Sequence, residues 1–274
     1  MLARFAGTLA ALAVFAPAQA QSTLELAERL YERAAIAAQL RPIPEQFAQS
    51  LEDYRGKMPD EAIAALVDAG KKVFAEDALR GEVVVAIAKA MTAEDIERAL
   101  DWLDGLPGRR VTLAEAGAHA SMSRESMQAY LESRKQTPAS PGRERMIADL
   151  IRTTRSVELG ASSIEAISLG VAVGMDATRP VEKRIGVAGL RARLRAQMPP
   201  EKVRATVAAM LPSMYDYVYR EVTDADLAAY VRFSGSPLGL RYGEAVSAAV
   251  IGALARASVR IGEKLPAMPE RKEV

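Results

Sequence analysis

Five of the eight tyrosines in this chain fall between residues 215 and 242: Tyr215, Tyr217, Tyr219, Tyr230 and Tyr242. With Phe233 they could line an apolar pocket with hydroxyls at its rim, able to hold a small ligand. The plainer reading is a core between the last helices. Arg241 closes the same region, two residues after Gly239 in Ser236-Pro237-Leu238-Gly239. The Gly239 N–H and the Arg241 guanidinium could receive an anion at a helix N-terminus. A structural alternative also accounts for the motif. Ser236 caps the helix, Pro237 suits its first turn, and Gly239 lets another backbone approach closely. Arg241 then bonds carbonyls at a neighbouring helix end.

Catalytic constellations are sparse. His119 is the single histidine, so a histidine metal cluster cannot form, and a Ser-His-Asp set could be built around it alone. Ser133 and Lys135 are close enough to suggest a Ser-Lys dyad, but their polar surroundings read as a solvated helix end. Asp101 and Asp104, or Glu158 and Glu165, could pair on a helix face, as solvated charges commonly do. Gly235 to Gly239 is not a nucleophile elbow, because serine is not central and proline follows it. No phosphate-cradling glycine loop is present, and the absence of cysteine removes thiolate chemistry and disulfides. We therefore assign no catalytic residue, metal or cofactor from the sequence, and the reading leans away from an enzyme.

The elements that would position these residues occur twice. At a constant shift of 131 residues, Thr92 falls on Thr223, Asp95 on Asp226, Ile96 on Leu227 and Trp102 on Phe233. Gly108 falls on Gly239 and Arg110 on Arg241. Such a match points to duplicated architecture. Thr92 and Thr223 are N-cap residues with an acid three positions on. Gly105 or Gly235 ends the capped helix, and a Pro/Gly corner begins the next. Met58-Pro59-Asp60-Glu61 and Met198-Pro199-Pro200-Glu201 both place proline and acid at a helix start.

Apolar residues recur every three or four positions, as in Leu26, Leu30 and Ala34, or Tyr242, Ala245, Val246 and Ala249. This period predicts amphipathic helices throughout, with Gly81 to Val85 helical and the apolar stretch Ile167 to Met175 a buried helix. The expected fold is all-α, two pseudo-repeated multi-helix lobes packed together. Lys135 to Gly142, with Pro138 and Pro141, is the best linker. It divides the chain into a leader at 1–20, a first repeat at 21–137 and a second at 142–274.

Arg4, an uncharged apolar run from Phe5 to Ala18, and Ala18-Gln19-Ala20 have the form of a secretory signal peptide cleaved after Ala20. Without cysteine the product is no lipoprotein, so a soluble periplasmic protein without a transmembrane segment is expected. Removal of residues 1–20 takes away Arg4 and no acid, leaving 35 basic and 35 acidic residues. A neutral chain is a poor nucleic-acid binder. One local exception is the run Arg179, Lys183, Arg184, Arg191, Arg193 and Arg195. It could touch anionic head groups or an acidic partner, but a solvated helix face, with Ile185, Val187, Leu190 and Leu194 turned inward, is the usual explanation.

Tyr219-Arg-Glu-Val-Thr223, Asp226-Leu227, Tyr230, Phe233 and Ser236-Pro237-x-Gly239 together resemble the signature of the domain of unknown function 2059 family. The resemblance covers roughly residues 190 to 265, with Ser234 standing where the family usually has an aromatic. It implies an exported bacterial helical protein and brings no catalytic residues. The expected role is non-catalytic, binding another envelope protein or a surface component. A carrier of a small apolar or anionic ligand, using Tyr215, Tyr219, Tyr230, Tyr242 and Arg241, is the alternative, and a hydrolase ranks third.

Overall fold

A computed structural model describes residues 15–52, 54–56, 59–177 and 179–264. Most of the leader and Met58 lie outside the described residues, as does the side chain of His119. Among the described residues every regular element is helical and no strand is formed. The order is α1 (Phe15–Arg33), α2 (Ile36–Leu40), α3 (Ile43–Glu52), α4 (Asp60–Val73), α5 (Glu76–Ala90), α6 (Ala93–Asp104) and α7 (Leu106–Ser121). There follow α8 (Arg124–Gln136), α9 (Pro141–Thr153) and α10 (Ser156–Ala177), then a 3-10 turn at Val181–Lys183. The chain closes with α11 (Gly186–Gln197), α12 (Pro200–Val218), α13 (Asp224–Ser234) and α14 (Pro237–Lys264).

Local chemistry explains the boundaries. Thr92 Oγ1 accepts from the Asp95 N–H at 3.1 Å and starts α6; Thr223 Oγ1 accepts from the Asp226 N–H at 3.2 Å and starts α13. Each cap satisfies one amide left without an intrahelical partner. Pro59 and Pro199 immediately precede α4 and α12, whose first turns carry acids that suit the positive end of the helix dipole. Ser140 caps α9 after the exposed segment 137–140. Ala35 and Arg155, which follow α1 and α9, both take left-handed backbone conformations and turn the chain sharply.

The helices exchange partners across segment 137–140. Helix α14 leaves the α12–α13 side and packs on α4, α5, α6 and α10. Helix α7 leaves α6 at a corner and packs on α12 and α13. Helix α1 lies on α5 and α6, as α9 lies on α12 and α13. The main core accordingly joins Leu30, Leu66, Ile87 and Ile96 to Ala249, Ala253 and Ile261. A second core joins Val111 to Ile147, Leu150, Tyr219 and Leu227. A smaller one seats Leu190 of α11 on Leu169 and Val173.

The apolar stretch 167–175 is part of a longer helix. Both α10 and α14 are long and apolar enough to cross a membrane. Here they lie against each other. A Cβ on Gly170 or Gly174 would crowd the side chains of Ser258, Ile261 and Leu66, so the two glycines let these side chains pack against α10. The Ser258 hydroxyl donates to the Ala166 carbonyl at 2.6 Å and ties the pair.

Candidate functional site

The residues matched at a spacing of 131 meet one another between the two halves. Trp102 and Phe233 stack with centroids 4.0 Å apart and planes 8° from parallel. Arg241 gives two hydrogen bonds to Asp95, at 2.7 and 2.8 Å. Arg110 reciprocally bonds Asp226 at 2.8 Å. The arginines thus reach carboxylates at the start of the opposite capped helix, rather than helix-end carbonyls. Hydrogen bonding from Arg241 holds the Asp95 carboxyl below its usual range, and Arg110, helped by Thr223, does the same for Asp226. Gly108 and Gly239 are needed where α7 and α14 turn away. A Cβ on Gly108 would fall 2.2 Å from the Trp102 carbonyl oxygen, and one on Gly239 would fall 1.9 Å from that of Phe233. The Gly239 N–H donates to Ser236 Oγ at 3.0 Å. Both donors considered for an anion are therefore engaged within the protein.

From this stack a continuous aromatic row runs into the second core. Trp102 stacks on Tyr230 at 5.5 Å, Tyr230 meets Tyr219 edge-on at 6.0 Å, and Tyr219 meets Tyr215 at 5.5 Å. Tyr242 extends the row from Phe233 at 5.9 Å. These are offset and edge-to-face contacts, the preferred geometry for aromatic quadrupoles. Four of the five clustered tyrosines therefore come together. Tyr217 stands apart, against Tyr130 and under the Arg220 guanidinium.

Glu115 of α7, which no sequence pattern marked, is the polar centre of the row. Tyr219 and Tyr230 both donate to its Oε1, at 2.6 and 3.2 Å. Burial raises the Glu115 carboxyl pKa, and the two hydroxyl donors offset this only in part. Burial, with the neighbouring carboxylate, pushes Tyr219 and Tyr230 well above the usual phenol value. Burial likewise raises Tyr215 and Tyr242. The Tyr215 hydroxyl closes a further hydrogen bond with Ser156. The phenols of Tyr215, Tyr219 and Tyr230 thus have partners inside the protein. Glu115 could be traced only by knowing that α7 crosses to the other half, since its neighbours Ala114, Ala116 and Gly117 give no amphipathic pattern.

The remaining candidates are dispersed. Lys135 bonds Glu132 and the Ser133 hydroxyl donates to the Tyr130 carbonyl, so the two form no dyad. Asp104 pairs with Arg33. Glu158 and Glu165 line a cleft between α10, α11 and α12, and Glu165 takes Arg195 at 2.9 Å. Asp216 gathers Arg134, Tyr130 and Arg143. Buried Arg143 donates to the Tyr219 and Val222 carbonyls and so fixes the turn after α12.

Beside the tyrosine row, α7 and the end of α12 leave an open groove of about 450 Å³. Leu113, Ala114, Gly117 and Ala118 form one wall, and Val218 and Val222 the other. Arg110, Arg220 and Glu221 stand at the edge. Leu113 is 71% exposed, and Leu106, two turns earlier on the same helix, is 68% exposed. A Cβ added at Gly117 would meet nothing within 4 Å. Among the described residues no cluster of acids and histidines could hold a metal ion. Compared with protein-family models, with curated proteins and with solved structures, the chain matches none.

Proposed function

We propose that this is an exported, periplasmic binding protein of the bacterial envelope, which takes an apolar-faced segment of a partner protein in the groove between α7 and α12. The exposed groove carries this reading. Its floor is apolar and small, its edge is charged, and Leu106 and Leu113 offer large apolar side chains on one helix face. That is the arrangement by which a groove accepts an amphipathic helix, with apolar anchors inside and a polar rim outside. Scattered exposed leucines need no explanation, but two on one helix, with one of them lining a groove, favour a docking surface.

Export rests on the leader sequence, and the resemblance to the domain of unknown function 2059 family agrees with it. Descent from two diverged copies of one helical unit is part of the same proposal. It is supported by the like-for-like meeting of Trp102 with Phe233 and by the reciprocal arginine–aspartate pairs. The carrier alternative draws less support, because the tyrosine rings pack on one another and Arg241 is held by Asp95.

The test is site-directed photo-cross-linking in cells. A cross-linker at Leu113 should give one defined protein adduct. That adduct should vanish on Gly117→Leu, which fills the groove without touching the core, and persist in Leu131→Asp on another surface. An adduct indifferent to Gly117→Leu would overturn the groove. A retained small molecule in native mass spectrometry, lost on mutation of Tyr230, would favour the carrier.

A further inference from the structure

Helices α11 and α14, far apart in sequence, place their arginines on one surface. Arg191 of α11 stands beside Arg256 and Arg260 of α14 around a shallow depression of about 510 Å³. Its floor is Gly252, Ala255 and Val259. Among the described residues, two carboxylates pair with this cluster. Glu82 takes both Arg256, at 2.6 Å, and Arg260, at 2.7 Å. Glu165 takes both Arg195, at 2.9 Å, and Arg191, at 3.9 Å. Four guanidiniums therefore share two carboxylates, and the face stays positive in a chain whose overall charge is only +1. Arg184, in the turn after α10, donates to the Ala177 and Arg179 carbonyls.

We propose that this face docks the protein on an anionic lipid surface, with phosphate head groups lying in the arginine-lined depression. A shallow basic surface, open rather than enclosed, suits a plane of head groups, to which clustered arginines are drawn electrostatically. Arginine suits the site, because its planar fork can bond phosphate while remaining paired to a carboxylate. The surface is separate from the groove of α7, so either proposal can fail without the other.

The test is co-sedimentation of the protein, purified from the cells that make it, with phosphatidylcholine vesicles containing or lacking one anionic lipid, phosphatidylglycerol. Binding should need phosphatidylglycerol and fall as salt is raised. Arg191→Gln with Arg256→Gln, both at exposed positions, should weaken it by about tenfold or more while the melting temperature stays put. Equal binding to phosphatidylcholine alone would overturn the proposal. So would displacement by millimolar inorganic phosphate, which would make the depression a free-anion site. Loss, in the double variant, of binding to polyglutamate but not to vesicles would reassign the face to an acidic protein.

Discussion

The indole of Trp102 lies flat on the ring of Phe233, and the two residues stand 131 positions apart, at matching places in two capped helices. Each ring thus seats the end of one capped helix against the other. Phe233 is buried, so Phe233→Ala removes a large apolar contact and leaves a space at the junction. The expected loss is about 3–5 kcal/mol by denaturant unfolding. Trp102 is the only tryptophan, so its fluorescence reports the same site directly. An emission spectrum unchanged by Phe233→Ala, with a loss below about 1 kcal/mol, would show that the stack contributes little.

The reciprocal pairs predict an acid-side weakness. Asp95 and Asp226 have carboxyl pKa values lowered in the folded protein by Arg241 and Arg110. A lowered value stabilises the fold above the unfolded carboxylate pKa, and that contribution disappears as the pH falls through the folded value. Arg241→Ala with Arg110→Ala should therefore lower the melting temperature at neutral pH. As the pH falls below the ordinary carboxylate range the variant and the parent should converge. A constant gap at every pH would mean that the arginines act by packing alone.

Glu115 has the opposite sign. Its carboxyl pKa is raised by burial, so the native state favours the protonated form. Stability from this group is full below the unfolded carboxylate pKa and declines as pH rises through the folded value. Glu115→Gln keeps an acceptor for Tyr219 and Tyr230 without the charge. The melting temperature of this variant should gain on the parent as the pH rises above the ordinary carboxylate value of about 4. A difference that does not widen with pH would place the Glu115 carboxylate in contact with water.

Three glycines separate close approach from open space. Gly239→Ala, and likewise Gly108→Ala, drives a Cβ into a backbone carbonyl that cannot swing away. Each should cost about 3 kcal/mol or more. Gly117→Ala adds a methyl where nothing stands within 4 Å and improves helix propensity, so a gain of about 0.5–1 kcal/mol is expected. Thermal denaturation of the three single variants decides the matter. Equal effects at Gly117 and Gly239 would refute the assignment.

Helix content was legible because it depends on local information. Caps such as Thr92 and Thr223, and the apolar period of residues 242 to 254, act within a few turns. The spacing of 131 singled out residues that meet in the fold, including Asp95, Arg110, Phe233 and Arg241. It could not say that they would bond to each other, because aligning copies sets like beside like, whereas the contacts join Arg241 to Asp95 and Arg110 to Asp226. Glu115 stayed hidden for a related reason. Its polar partners lie more than a hundred residues away, and it sits in a helix with alanine and glycine beside it. The basic face was half visible: Arg191 and Arg195 stand in one run, whereas Arg256 and Arg260 join them only through folding.

The crossing of α7 and α14 makes the molecule a clasp. The exposed stretch 137–140 is the one covalent bridge between its two runs of helices, but it does not hold them together. A protease that cuts there leaves α7 lodged against α12 and α13, and α14 lodged against α5 and α6. Parting the two pieces means withdrawing a whole helix from each core. Such a nicked molecule would migrate as two bands once denatured while keeping its size in solution, and the two pieces could be made separately and joined by mixing.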